Sequence, residues 1–146
     1  MAQVVIDANI GVALIVKLPF SEAASRQIDF WRTREVEIVV PALWWYEIIS
    51  AIRKAIRAKV ITTADAERAI GDFQSLGLKV IEPTLNVQRA ALRWAERLQQ
   101  GAAYDAQYLA LAEHLAAEFW TADRALENNA HQHGVRWVKL LGLDAA

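Results

Sequence analysis

Four acidic residues sit in apolar company. Asp7 closes the run VVI, Glu47 interrupts LWWYEIISA, Asp105 leads AQYLALAEHLA, and Asp123 follows EFWTA. Glu47 stands out because its helical neighbours three and four positions away are Leu43, Trp44, Ser50 and Ala51, with no Lys or Arg to offset the cost of desolvating a carboxylate. Surface or helix-capping roles account equally well for Asp105 and Asp123. If the four meet, their repulsion raises their pKa values unless a divalent cation compensates the charge. Oxygen donors favour magnesium, with manganese as the alternative. A purely structural carboxylate cluster is the competing account.

Other chemistries are closed or weak. The chain has no cysteine, which excludes a disulfide framework, a thiol nucleophile and thiolate-bound metals. Of the three histidines, His131 and His133 flank Gln132 at a spacing that suits a tail or exposed turn better than a metal clamp, and His114 reads as a boundary residue of an amphipathic helix. Asp7 has no adjacent acid and belongs to Asp-Ala-Asn, which fits poorly with a phosphoacceptor domain or a two-aspartate phosphatase.

Short strands must carry these residues. QVVI at 3–6, EIVV at 37–40, LKVI at 78–81 and EFWT at 118–121 read as strands, with a possible fifth in VRWVKLL at 135–141. Helices are expected in IGVALIVK, from a Ser21 cap through Trp31, from Leu43 to Lys59, and from Thr62 or Thr63 to about Phe73. Further helices follow Thr84, span about 103–116, and begin near Asp123; Val87, Ala91, Trp94 and Leu98 mark a core-facing stripe. Strands alternating with helices predict an α/β domain with a mostly parallel central sheet covered by helices on its faces. Asp7 and Asp123 would then emerge beyond the carboxyl ends of strands, where such folds place ligand groups.

With 146 residues, 55% of them apolar and 23% charged, the chain is read as one domain over 1–146. Sixteen Lys and Arg against 17 Asp and Glu exclude a uniformly basic nucleic-acid coat but leave local patches open. The N-terminal apolar run has no basic leader and contains Asp7, and no span reaches membrane length without a charge, so a cytoplasmic protein without a membrane partner is expected.

The ordered phrases VVIDANI at 4–10, PALWWYEIISAIRKAIRAKVIT at 41–62, YDAQYLALAEHL at 104–115 and TADRAL at 121–126 resemble the PIN domain family, and within it the VapC-like toxin branch. The resemblance implies a three-layer α/β/α sandwich and divalent-metal-dependent endoribonuclease activity. It also implies a homodimer and a cognate VapB-like antitoxin. It assigns Asp7, Glu47, Asp105 and Asp123 to the acidic, metal-binding centre, with Asn9 and Thr121 in support. RNA would need positive ground: Arg53, Lys54 and Arg57 share a helical side, Lys59 extends the run, and Arg124 adjoins Asp123. Trp44 and Trp45 suit core packing or a dimer contact better than base stacking. A catalytically inactive binding or regulatory module is the alternative.

Overall fold

The computed structural model describes residues 2–144. Five short strands form its centre: β1 (Gln3–Ile6), β2 (Glu37–Pro41), β3 (Lys79–Ile81), β4 (Glu118–Thr121) and β5 (Val138–Leu140). Their order across the sheet is β3-β2-β1-β4-β5, and all four pairings are parallel. Val5, Val39, Val40, Phe119 and Val138 are fully buried, as expected of strands covered on both faces.

Seven helices connect the strands: α1 (Ala8–Val12), α2 (Ser21–Thr33), α3 (Leu43–Arg57), α4 (Thr63–Ser75), α5 (Leu85–Arg97), α6 (Tyr104–Leu115) and α7 (Arg124–Gln132). The chain steps from β1 to β2 to β3 in one direction, then returns to the other side of β1 for β4 and β5. Right-handed crossovers therefore put α2–α4 on one face and α5–α7 on the other. Helix α6 packs across β1, β2 and β4, and α5 packs on α6. The reversal of winding falls between β1 and β4, where open parallel sheets leave a crevice at the strands' carboxyl ends.

Most local expectations hold, with four corrections. The first helix starts at Ala8 and ends at Val12 because Asp7 takes its N-cap position and the chain turns from Ala13. Ser21 is the first residue of α2, with Phe20 in the cap position. Its hydroxyl accepts from the Leu18 N–H and donates to the Val16 carbonyl, bracing the preceding loop. Helix α3 stops at Arg57, and Lys59 takes a left-handed φ of 58°. In VRWVKLL only Val138–Leu140 is a strand. Thr62 and Asp65 form a reciprocal capping box on α4, and Thr84 caps α5 through the Val87 N–H. The Val87, Ala91, Trp94 and Leu98 stripe is buried.

Trp44 is fully buried and meets Trp45 and Phe73 edge-on, tying α3 to α4. Trp44 thus belongs to the core, and Trp45 is half-buried against it. Trp44 and Ile48 leave no room for a side chain at Gly11: a Cβ there would lie 2.6 Å from Trp44 Cζ2 and 2.8 Å from Ile48 Cδ1. Gly11→Ala should destabilise the protein by about 1–3 kcal/mol despite alanine's better helix propensity. Urea unfolding would measure it, and an unchanged midpoint would contradict this account of the α1–α3 contact.

Candidate active site

The four acids come from four places that the topology brings to one edge. Asp7 follows β1, and its N–H donates to the Trp120 carbonyl of the neighbouring strand β4. Asp123 caps α7 just beyond β4. Glu47 lies in the second turn of α3, and Asp105 in the first turn of α6.

Asp7 and Thr121 are both buried. Thr121 Oγ1 donates to Asp7 Oδ2 at 2.8 Å, and accepts from Asn9 Nδ2 at 3.2 Å and the Asp123 N–H at 3.0 Å. Asn9 Oδ1 in turn accepts from the Ala122 N–H at 3.1 Å. Asn9 and Thr121 therefore stitch the end of β1 to the end of β4 and fix the Asp7 carboxyl.

Electrostatics link the four groups. Burial pushes the Asp7 carboxyl up from the ordinary 3.8 to about 7; the Asp105 and Glu47 charges add to the rise, while the Thr121 hydrogen bond opposes it. Asp105 is also raised, first by burial and then by the Asp123 and Glu47 charges. None of the four takes part in an ion pair among the described residues. Asp123 does cap its helix: Oδ1 accepts from the Leu126 N–H at 3.1 Å. Asp123 thus caps its helix while its charge also acts on Asp105.

Two residues overlooked in the sequence complete the frame. Tyr108 is buried, and its hydroxyl donates to Glu47 Oε1 at 2.6 Å. Burial and the Asp7 charge raise its pKa, so the phenol keeps the proton that it shares with Glu47. Gln100 Nε2 donates to Asp105 Oδ2 at 3.3 Å, while its Oε1 is buried without a hydrogen-bond partner. The signal for Tyr108 was its i+3 spacing from Asp105, which puts the two on one side of α6. Gln100 gives no comparable signal because it precedes the helix.

Among the described residues, the candidate basic residues form no ion pair with this cluster. Arg53, Lys54, Arg57 and Lys59 are exposed along α3 and after it, and Arg124 is exposed at the start of α7. His114 is exposed on α6, and the other two histidines sit against backbone carbonyls. His131 lies in the last turn of α7 rather than in an exposed turn, with Nε2 3.0 Å from the Val138 carbonyl; His133 Nδ1 is 2.9 Å from the Asn129 carbonyl.

Uncompensated carboxylates and an orphaned amide oxygen suit a hard divalent cation in donor type and charge. Among the described residues, however, no three Asp, Glu or His side chains are grouped closely enough to hold one ion by themselves. The side chains thus fit such an ion in chemistry but do not form a closed cage. Magnesium tolerates this because it keeps several waters in its coordination sphere.

Fold and site together define a parallel α/β protein with an acidic cluster at its winding reversal. Residues 4–132 match the PIN domain. Ribonuclease VapC12 of Mycobacterium tuberculosis is 31% identical over 133 residues, which cover 90% of this chain and 93% of that protein. The crystal structure of PAE2754 from Pyrobaculum aerophilum aligns at a TM-score of 0.65 with 27% identity, over 88% of this chain and 79% of that one. A toxin-antitoxin complex from Klebsiella pneumoniae aligns at 0.69 over 97% and 99%, with 15% identity, a likeness of fold alone. The chain belongs to the PIN domain family and is related to its VapC-like ribonucleases.

Because the Asp7 carboxyl binds its proton more tightly in the folded protein than in the unfolded chain, its contribution to stability is complete below about pH 4 and lost as pH rises through about 7. In EDTA, the thermal midpoint of Asp7→Asn should therefore rise relative to wild type between pH 5 and pH 8. Calorimetric melts across that range would show it; a constant offset between the two proteins would contradict the burial argument.

Proposed function

We propose that this chain is a divalent-metal-dependent endoribonuclease and the toxin of a type II toxin-antitoxin pair. The observation that carries the reading is a buried carboxylate, raised to about 7, beside three further acids with no cation among their partners. Bound magnesium, or manganese in its place, supplies charge neutralisation and water activation for attack on an RNA phosphodiester.

The chain's own residues hold the carboxylates ready. Asp7, Glu47, Asp105 and Asp123 are the metal-binding and catalytic set. Thr121 and Asn9 orient Asp7 and the start of α7, Tyr108 orients Glu47, and Gln100 orients Asp105. Water activation by the metal removes the need for a histidine base, consistent with the structural contacts of His131 and His133.

Positive charge near the acids favours RNA. Setting the four acids aside leaves 13 acidic against 16 basic residues. Lys54 is seven residues from Glu47, two helical turns along the same side of α3 at a rise of about 10 Å, while Arg53 and Arg57 line up with Tyr46. Arg124 is a further phosphate contact. Inhibition by a VapB-like antitoxin and assembly as a homodimer complete the reading; its support is the relation to VapC-like proteins. The second reading, a catalytically inactive module, draws on the lack of a closed ligand cage among the described residues.

Magnesium-dependent cleavage of a varied RNA pool tests the centre. Asp7→Asn combined with Asp105→Asn should abolish cleavage, and Tyr108→Phe should lower it about 10- to 100-fold by freeing Glu47. Equal residual cleavage in all variants would reject the assignment, whereas metal binding without any cleavage would favour the inactive module. Separately, Arg53→Glu with Arg57→Glu should weaken RNA binding and flatten its dependence on salt. Unchanged binding at low salt by the folded variant would remove the basic rail.

A further inference from the structure

Beside the acids lies a cavity that the hydrolytic reading does not use. Its volume is about 350 Å³, and it opens off the carboxyl ends of β2 and β3 between α3 and α6. Tyr46 and Leu43 line it from α3, Tyr104 and Gln107 from α6, and Glu82 and Gln88 from the segment around the start of α5.

Helical spacing relates this cavity to the acids. Leu43 and Tyr46 are three apart on α3, as are Tyr104 and Gln107 on α6, and each pair shares one side of its helix. Glu47 follows Tyr46 directly, and Asp105 follows Tyr104. The adjacent sides of the same two helices therefore carry the Glu47–Tyr108 hydrogen bond and Asp105. Two parallel tracks run between α3 and α6, one acidic and one aromatic.

The lining selects a class of ligand. Tyr46 is 73% exposed and Tyr104 is 64% exposed, which leaves aromatic surface for stacking. No Lys or Arg lines the cavity, so it lacks the charge to hold a phosphate. Glu82 can only accept hydrogen bonds when ionised, while Gln88 and Gln107 both donate and accept. A flat, neutral ligand with hydrogen-bonding edges suits such a lining. Single-stranded RNA offers one in an unstacked base.

We propose that this cavity is a nucleobase subsite, which takes an unpaired base of the RNA strand beside the phosphate being cut. The proposal rests on the hydrolytic reading for its substrate. The Glu82 carboxylate favours bases with an exocyclic amine, so adenine and cytosine bind in preference to uracil, whose edge N–H lies between two carbonyls. Arg53 and Arg57, on the Tyr46 side of α3, continue the track as phosphate contacts.

Fluorescence anisotropy with labelled hexamers of adenylate, cytidylate and uridylate, in EDTA so that nothing is cut, tests the subsite apart from catalysis. Wild type should bind the first two more tightly than the third. Tyr104→Ala, and independently Tyr46→Ala, should weaken binding roughly 5- to 100-fold, the range of one lost base stack. Glu82→Gln should narrow the preference between bases. In magnesium, the base bias beside the cut should relax in Tyr104→Ala while cleavage persists. Equal wild-type affinity for the three hexamers, or an unaltered bias in both tyrosine variants, would overturn the subsite. A shift in oligomeric state on gel filtration of either variant would assign the tyrosines to a contact between copies and also overturn it. Base-dependent binding that the variants lose, in a protein that cuts no RNA, would support the subsite and reject the hydrolytic reading.

Discussion

The end of β1 commits an aspartate to the protein interior, and the neighbouring elements are arranged around that fact. Asp7 is almost wholly withdrawn from solvent, and the Thr121 hydroxyl partners it from the adjacent strand β4. One hydroxyl and a backbone N–H do not compensate a buried charge, and its pKa rises accordingly. Asp105 and Glu47 increase the strain instead of relieving it. A protein that sought only stability would have a neutral residue there. The cluster has the character of a site that is completed from outside, by a proton or by a cation.

The rest of the architecture serves that edge. Reversal of winding between β1 and β4 opens the crevice, and the Asn9–Thr121 bonds close the two strand ends into a rigid floor. Above it, α3 and α6 face each other through the Tyr108–Glu47 hydrogen bond. The tryptophans before Glu47 anchor α3 from behind: Trp44 is packed against Gly11 and Phe73, so Glu47 is carried on a helix that cannot easily shift. Core packing and site geometry are thus coupled through adjacent residues of one helix.

Much of this was legible in the residues. Strand runs of β-branched residues stopped by Asp7, Pro41 and Pro83 gave the alternating pattern, and the absence of a nearby Lys or Arg marked Glu47 as a charge in need of a partner. Caps with a local hydrogen-bond signature, Thr62 and Thr84, were readable because cap and helix are neighbours in sequence. Ser21 misled because a loop contact to Val16 competes for the same hydroxyl. The β1–β4 pairing, the Thr121 bond to Asp7 and the bond from Tyr108 to Glu47 join residues more than 60 positions apart. No local pattern encodes them, although family resemblance pointed to Thr121. Aromatic bulk before Glu47 drew notice to Trp44 and Trp45, yet the exposed rings next to the acids in sequence are Tyr46 and Tyr104, which burial alone distinguishes.

The central claim is that the Asp7 carboxyl is held by burial and by its acidic neighbours in a state that a divalent cation relieves. Carboxyl-carbon NMR titration of Asp7, first in EDTA and then in saturating magnesium, measures this directly. The account predicts a midpoint near 7 without metal and a fall toward or below the ordinary carboxylate range with it. An ordinary aspartate midpoint in EDTA, or a raised one that magnesium leaves in place, would contradict it.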